Sequence, residues 1–167
     1  INSKGDITKK YSMNAKLNEG HAAFALASFD DLNLLIKHNY SIYQEYLSSE
    51  KLINKKLRII RYNDKFKPSY SIIAAEIEEK YIDCIDKLII ILNSIHIFSK
   101  LGYFTPLHEK ATSIIGTNNL NLNRASIYSK NLLILPSGWT IRRTHVSPLM
   151  NIINKIINDI YKENHGL

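Results

Sequence analysis

From Leu17 to about Ser48 the apolar positions fall at Ala22, Leu26, Phe29, Ile36, Tyr40, Tyr43 and Leu47, with Leu32 beside the polar gap at Asn33. Steps of three and four residues mark one stripe of a helix. At 1.5 Å per residue such a helix is roughly 45 Å long. That exceeds the width of a small domain, so part of it is expected to lie against something else. Each well-buried Leu, Ile or Phe contributes ~1.5–3 kcal/mol, which makes an uncovered stripe costly.

Past Leu52 the period changes. Leu57–Tyr62 reads as a strand, Asn63–Ser69 as a turn around Pro68, and Tyr70–Glu78 as a second strand. A helix follows from about Asp83 to Leu92, ended by Asn93-Ser94, and Ile95–Ser99 reads as a short third strand. Thr105–Thr117 is irregular around Pro106 and Gly116, Asn121–Lys130 reads as a short helix, and Leu132–Leu135 as a brief buried strand stopped by Pro136-Ser137-Gly138. Val146, Leu149, Met150, Ile153, Ile156, Ile157 and Ile160 mark a closing amphipathic helix, with Ser147 before Pro148 as its expected cap. Ile1–Tyr11 is polar and aperiodic, a loop or tail. The expected class is α+β: a small antiparallel sheet with helices on one face and a long N-terminal helix.

Composition changes this picture little. A length of 167 residues suits one domain with a real core, and 45% hydrophobic with 22% charged content is ordinary. Apolar runs such as Leu88–Leu92 fall far short of the roughly 20 residues that a membrane-spanning helix needs. The lone Cys84 excludes an internal disulfide and fits a reducing compartment, so a cytoplasmic location is expected. The net charge of +7 and pI near 9.4 invite a nucleic-acid reading. The Lys and Arg residues are scattered, however. Lys51–Arg61 and Arg142-Arg143 are the nearest approaches to clusters, and neither forms a basic face with interleaved aromatics. The Ile, Asn and Lys enrichment reads first as coding bias that raises charge without selecting a partner, and a sugar nucleotide diphosphate is compatible with the same charge. The chain opens on Ile1 with no Met before Met13, which favours a piece of a longer protein.

Two segments carry candidate chemistry. Asn14 and Lys16, two positions apart at the mouth of a helix, present an amide and an ammonium suited to one anionic group. The plain alternative is a loop asparagine and a solvated lysine. Tyr103 and His108 bracket Phe104-Thr105-Pro106-Leu107, which reads either as a binding loop offering a phenol and an imidazole or as a tight loop with an aromatic anchor. Small residues at Ala22-Ala23 permit close approach of another helix or subunit. Cys84 sits among Ile82, Ile85 and Leu88 as a buried helix residue. His38, His96, His145 and His165 lack metal-ligand spacing, and no glycine-rich phosphate loop occurs.

Together these segments resemble the C-terminal part of the DegT/StrS family of PLP-dependent sugar aminotransferases. Asn14-Ala15-Lys16-Leu17-Asn18-Glu19-Gly20-His21-Ala22-Ala23-Phe24-Ala25-Leu26 is similar, in register, to the family's N-x-(K/R)-M-(S/T)-E-x-(H/Q)-A-A-x-x-L segment. Ile42-Tyr43-Gln44-Glu45-Tyr46-Leu47 resembles the end of the helix that follows. Ser94-Ile95 through Tyr103-Phe104-Thr105-Pro106-Leu107-His108 resembles G-I-x-x-R-x-Y-F-x-P-x-H, and Leu133–Gly138 resembles the family's "L-P-S/L-x" strand end. The match runs from about Tyr11 onward. Leu17 stands for the usual Met, Gly20 is unusual at a helix start, and the Arg after the "G-I" step is absent.

The resemblance implies the C-terminal small domain of a fold-type I enzyme, with residues 1–16 joining an absent large domain and residues 17–167 forming the small one. The implied reaction moves an amino group, usually from glutamate, to a keto-sugar nucleotide in deoxyamino-sugar or surface-polysaccharide biosynthesis. The implied cofactor is PLP, held mainly by the large domain that carries the Schiff-base lysine, so this chain alone is expected to be inactive. Asn14 is expected to reach across a homodimer interface to the neighbour's cofactor phosphate, with Lys16 assisting. Tyr103 and His108 are expected near the sugar-nucleotide pocket. No catalytic residue and no metal site is expected in the chain. The alternative is a non-catalytic basic domain for nucleic-acid binding or scaffolding; a gene remnant that folds without function is a third reading.

Overall fold

The computed structural model describes residues 17–102, 106 and 122–166. In it the expected long helix is two helices. α1 spans Glu19–Asp30 and α2 spans Leu32–Ser49, with Asp31 between them at φ −96°, ψ 0°. Asp competes with the backbone for hydrogen bonds and favours helix ends, so a break at this residue has a local cause. α2 ends in a 3₁₀ turn, Glu50–Ile53, and Asn54 leaves it in the left-handed region at φ 50°.

Four strands follow in one sheet: β1 Leu57–Ile59, β2 Ile73–Ile77, β3 Lys100–Leu101 and β4 Leu132–Leu135. Their spatial order is β1-β2-β4-β3, and every neighbouring pair is antiparallel. Leu57 faces Ile77, Ala75 faces Leu133, and Leu101 faces Leu133 from the other side. A 3₁₀ helix, Glu79–Cys84, leads into α3, Ile85–Ser94. α4 covers Asn123–Asn131, and α5 covers Arg143–His165.

Two expectations need correction. The third strand lies at Lys100–Leu101, not at Ile95–Ser99. Asn93 explains the shift: its Nδ2 donates to the Ser99 carbonyl at 3.1 Å and its Oδ1 accepts the Ser99 N–H at 3.0 Å. That clamp, with His96 at φ 61°, commits the segment to a turn before pairing begins. The last helix starts at Arg143, so Ser147 is inside it and not its cap. The Ser147 hydroxyl instead meets Ser49 Oγ at 2.9 Å, fastening α5 to the end of α2.

The core lies on one face of the sheet. Ile73, Ala75 and Ile77 alternate inward on β2, as Leu133 and Leu135 do on β4. Ile42 and Tyr46 of α2, Leu88 and Leu92 of α3, and Met150, Ile153 and Ile157 of α5 complete it. The opposite face carries Glu76, which pairs with Arg58 across β1 and β2 and accepts from Asn131 Nδ2 of α4 at 3.4 Å. Among the described residues no helix is long and apolar enough to cross a membrane.

Candidate functional site

Asn18 opens α1. Its backbone is extended (φ −83°, ψ 165°), and its Oδ1 accepts the His21 N–H at 2.8 Å. The side chain thus takes one of the donors that a helix start leaves unpaired. Glu19 sits in the first turn, where a carboxylate is favourable to the helix dipole. Glu19, Gly20 and His21 are all exposed, so this end of the helix is open to solvent. Asn14 and Lys16 lie outside the described residues, just ahead of this entrance.

β3 runs into the second candidate segment through Gly102, whose N–H donates to the Leu132 carbonyl at 2.7 Å. A Cβ at Gly102 would stand 3.0 Å from Leu132 Cβ, so glycine lets the chain pass close to β4. Tyr103 and His108 lie outside the described residues, and Pro106 between them is buried.

At the other end of β4 the Pro136-Ser137-Gly138 turn is held from three directions. Tyr46 donates to the Pro136 carbonyl at 2.9 Å, Ser137 Oγ donates to the Ser71 carbonyl at 2.7 Å, and His38 Nε2 sits 3.1 Å from the Gly138 carbonyl. Gly138 has φ 92°, a conformation that a side chain would strain. The turn presents Trp139, whose indole stacks on His38 with centroids 5.0 Å apart. Beside it lies an open cleft of about 760 Å³ lined by His96, Phe98, Ser137, Thr140, Thr144 and His145. The Arg142 N–H donates to His145 Nδ1 at 3.3 Å, which leaves Nε2 as the protonated nitrogen of the neutral ring. His96 and His145, far apart in sequence, thus share one cleft. Spacing carried no sign of this, because the two meet only through the packing of α3 against α5.

The Lys51–Arg61 cluster gathers around a shallow recess, but its guanidiniums are engaged. Arg58 pairs with Glu76, and Arg61 Nη2 lies 2.5 Å from Glu50 Oε2. The Arg61 hydrogen bond holds the Glu50 carboxyl below its ordinary range, helped by the Ile59 N–H and opposed by partial burial. Lys56 is buried, bonds Asn154 Oδ1, and burial pushes its ammonium pKa down. Among the described residues no three His, Cys, Asp or Glu side chains gather as a metal site would require.

No protein-family model matches this chain, and no curated protein matches it. Solved structures do. The chain aligns over 92% of its length with DesI, determined in the presence of its TDP-sugar product, at a TM-score of 0.77 and 18% identity. It aligns over 87% with the PLP form of a sugar aminotransferase, Spr1654 from Streptococcus pneumoniae, at TM-score 0.71 and 16% identity. It aligns over 90% with a DegT DnrJ EryC1 StrS aminotransferase from Brucella abortus, at TM-score 0.62 and 16% identity. The fold is that of one part of a sugar aminotransferase. The chain spans only 37–39% of the length of these three structures. At such identities the likeness fixes the fold alone.

Proposed function

We propose that this chain serves as the C-terminal small domain of a PLP-dependent aminotransferase acting on a keto-sugar nucleotide, with glutamate as the usual amino donor. Residues 1–16 would join it to a larger cofactor-holding domain, and residues 17–167 would form the small domain. The observation that carries this reading is the alignment of 92% of the chain with DesI, a structure obtained with a TDP-sugar. The motif order read from the sequence supports it independently.

Within that reading the donor set fits a phosphate. Asn14 offers an amide and Lys16 an ammonium, and both precede an exposed helix N-terminus whose dipole favours an anion. Asn14 would serve the neighbouring subunit's cofactor phosphate across a homodimer, and Lys16 would add charge to it or to the substrate's diphosphate. Tyr103 and His108, which follow Gly102 in the chain, would contact the sugar nucleotide. PLP, when bound, supplies the electron sink, and the protein binds and orients it. Catalysis would belong to the whole enzyme, and this chain alone would turn nothing over.

The test begins with the reading frame upstream of Ile1, followed by expression of the full-length protein. Loss of a charge-assisted phosphate contact costs ~1.5–3 kcal/mol, so Asn14→Ala should weaken PLP retention on dialysis about 10- to 100-fold. Unchanged PLP retention and turnover would contradict the role of Asn14. An upstream frame encoding no cofactor-binding domain would overturn the reading as a whole.

A further inference from the structure

The cleft between the Pro136-Ser137-Gly138 turn and the start of α5 lies away from the segments assigned above. Gly102, which leads to Tyr103 and His108, bonds Leu132 at the start of β4, whereas the cleft opens past Leu135 at its end. At ~3.3 Å per residue, Leu132 and Pro136 are about 13 Å apart. Each wall of the cleft is fastened by a bond made elsewhere. The Asn93 side chain clamps Ser99 and so sets the turn that carries His96 and Phe98. Tyr46 and Ser137 hold the turn after β4, and Ser49 ties down α5 at Ser147. The cleft therefore stands formed before a ligand arrives, which lowers the ordering cost of binding. Its volume of about 760 Å³ is that of a small-molecule site.

The lining selects for charge. It contains no carboxylate; apart from two imidazoles and three hydroxyls its side chains are apolar. Ser137 is committed to the Ser71 carbonyl, but the Thr140 and Thr144 hydroxyls and His145 Nε2 have no protein partner among the described residues. Because His145 Nδ1 accepts the Arg142 N–H, Nε2 offers a donor and no lone pair, which suits an oxygen anion and not a metal ion. A cationic ligand would find no counter-charge here. The apolar part is equally open: Phe98 is 75% exposed, and Ile152 borders the same cleft. An exposed phenyl ring takes another ring in offset or edge-on contact.

We propose that this cleft binds a small aromatic monocarboxylate, its carboxylate taken by His145 Nε2–H and the Thr144 hydroxyl and its ring laid against Phe98 and Ile152. The proposal rests on the cleft alone, so its failure and that of the transaminase reading are separate events.

Titration of the chain with 3-phenylpropionate tests it. Trp139, the single tryptophan, precedes the lining residue Thr140 and reports occupancy by its fluorescence, while calorimetry gives the affinity. A ligand of this size is expected to bind with a dissociation constant of about 0.1–1 mM. 3-Phenylpropanamide, the same shape without the charge, and propionate, the acid without the ring, should each bind at least ~10-fold more weakly. Hexanoate, an acid with a chain in place of the ring, should also bind more weakly. Ile152→Asp places a carboxylate in the lining and should weaken 3-phenylpropionate at least ~10-fold, and His145→Ala at least ~5-fold. Phe24→Asp, which removes the most exposed aromatic of α1, should leave the affinity unchanged. Ile152, His145 and Phe24 are all exposed, and circular dichroism checks that each variant keeps the fold. No saturable binding up to ~20 mM, far above the expected dissociation constant, overturns the proposal. Equal affinity for the acid and the amide overturns it too, because the cleft would then be merely apolar. Tighter binding of hexanoate would overturn the aromatic assignment. Weakening by Phe24→Asp but not by Ile152→Asp would move the ligand to α1 and likewise refute the site.

Discussion

Glu50 ties the end of α2 to the start of the sheet through a single carboxylate. Its Oε1 accepts the Ile59 N–H at 2.8 Å and Arg61 Nη1 at 3.0 Å, and its Oε2 takes Arg61 Nη2 at 2.5 Å. The Glu50 side chain is 20% exposed, so these bonds are partly shielded from water. Because the folded state favours the carboxylate, the resulting stability is fully present above the unfolded-state pKa of about 4.3 and is lost as pH falls through the lower folded value. Glu50→Gln keeps the shape and removes the charge. It is expected to cost ~1–2 kcal/mol at pH 7, with the difference from the parent closing below about pH 4. Urea titrations across that range check both statements. A difference that does not change with pH would mean that packing, not the charge, gives Glu50 its value.

At the scale of elements, α5 carries a defect that its neighbours tolerate. Pro148 lies inside the helix, where it removes the N–H that would bond the Thr144 carbonyl. Because it is only a turn and a half from the start, the cost is below the ~3 kcal/mol of a mid-helix proline. Pro148→Ala is expected to stabilise the protein by ~1 kcal/mol and to raise Tm by about 2–4 °C, measured by calorimetry. An unchanged or lowered Tm would show that the proline suits its place. This residue also illustrates what sequence could convey. Alternation and helical period placed β2, β4, α3, α4 and α5 within a few residues, because burial on one face leaves a regular imprint. The start of α5 was misread because Ser-Pro resembles a cap, and nothing local reveals that Ser147 bonds Ser49. β3 slipped because one side chain, Asn93, closes a turn that hydrophobicity does not record. For the candidate site the sequence speaks alone, since Asn14, Lys16, Tyr103 and His108 fall outside the described residues. The cleft shared by His96 and His145 had no local signature, since packing brings its walls together.

Across the whole molecule, stability is distributed unevenly, and the division follows burial. Ile73 of β2, Leu133 of β4, and Met150, Ile153 and Ile157 of α5 are fully enclosed in one core, whereas α1 contributes no buried residue. A helix of 12 residues is too short to be stable in water by propensity alone, so α1 depends on what it packs against. Amide hydrogen exchange should register this directly. In dilute solution, the α1 amides are expected to exchange at least ~1,000-fold faster than those of α5 and β2, which open only with global unfolding. Slow exchange throughout α1 would show instead that contacts within the chain hold this helix as firmly as the core.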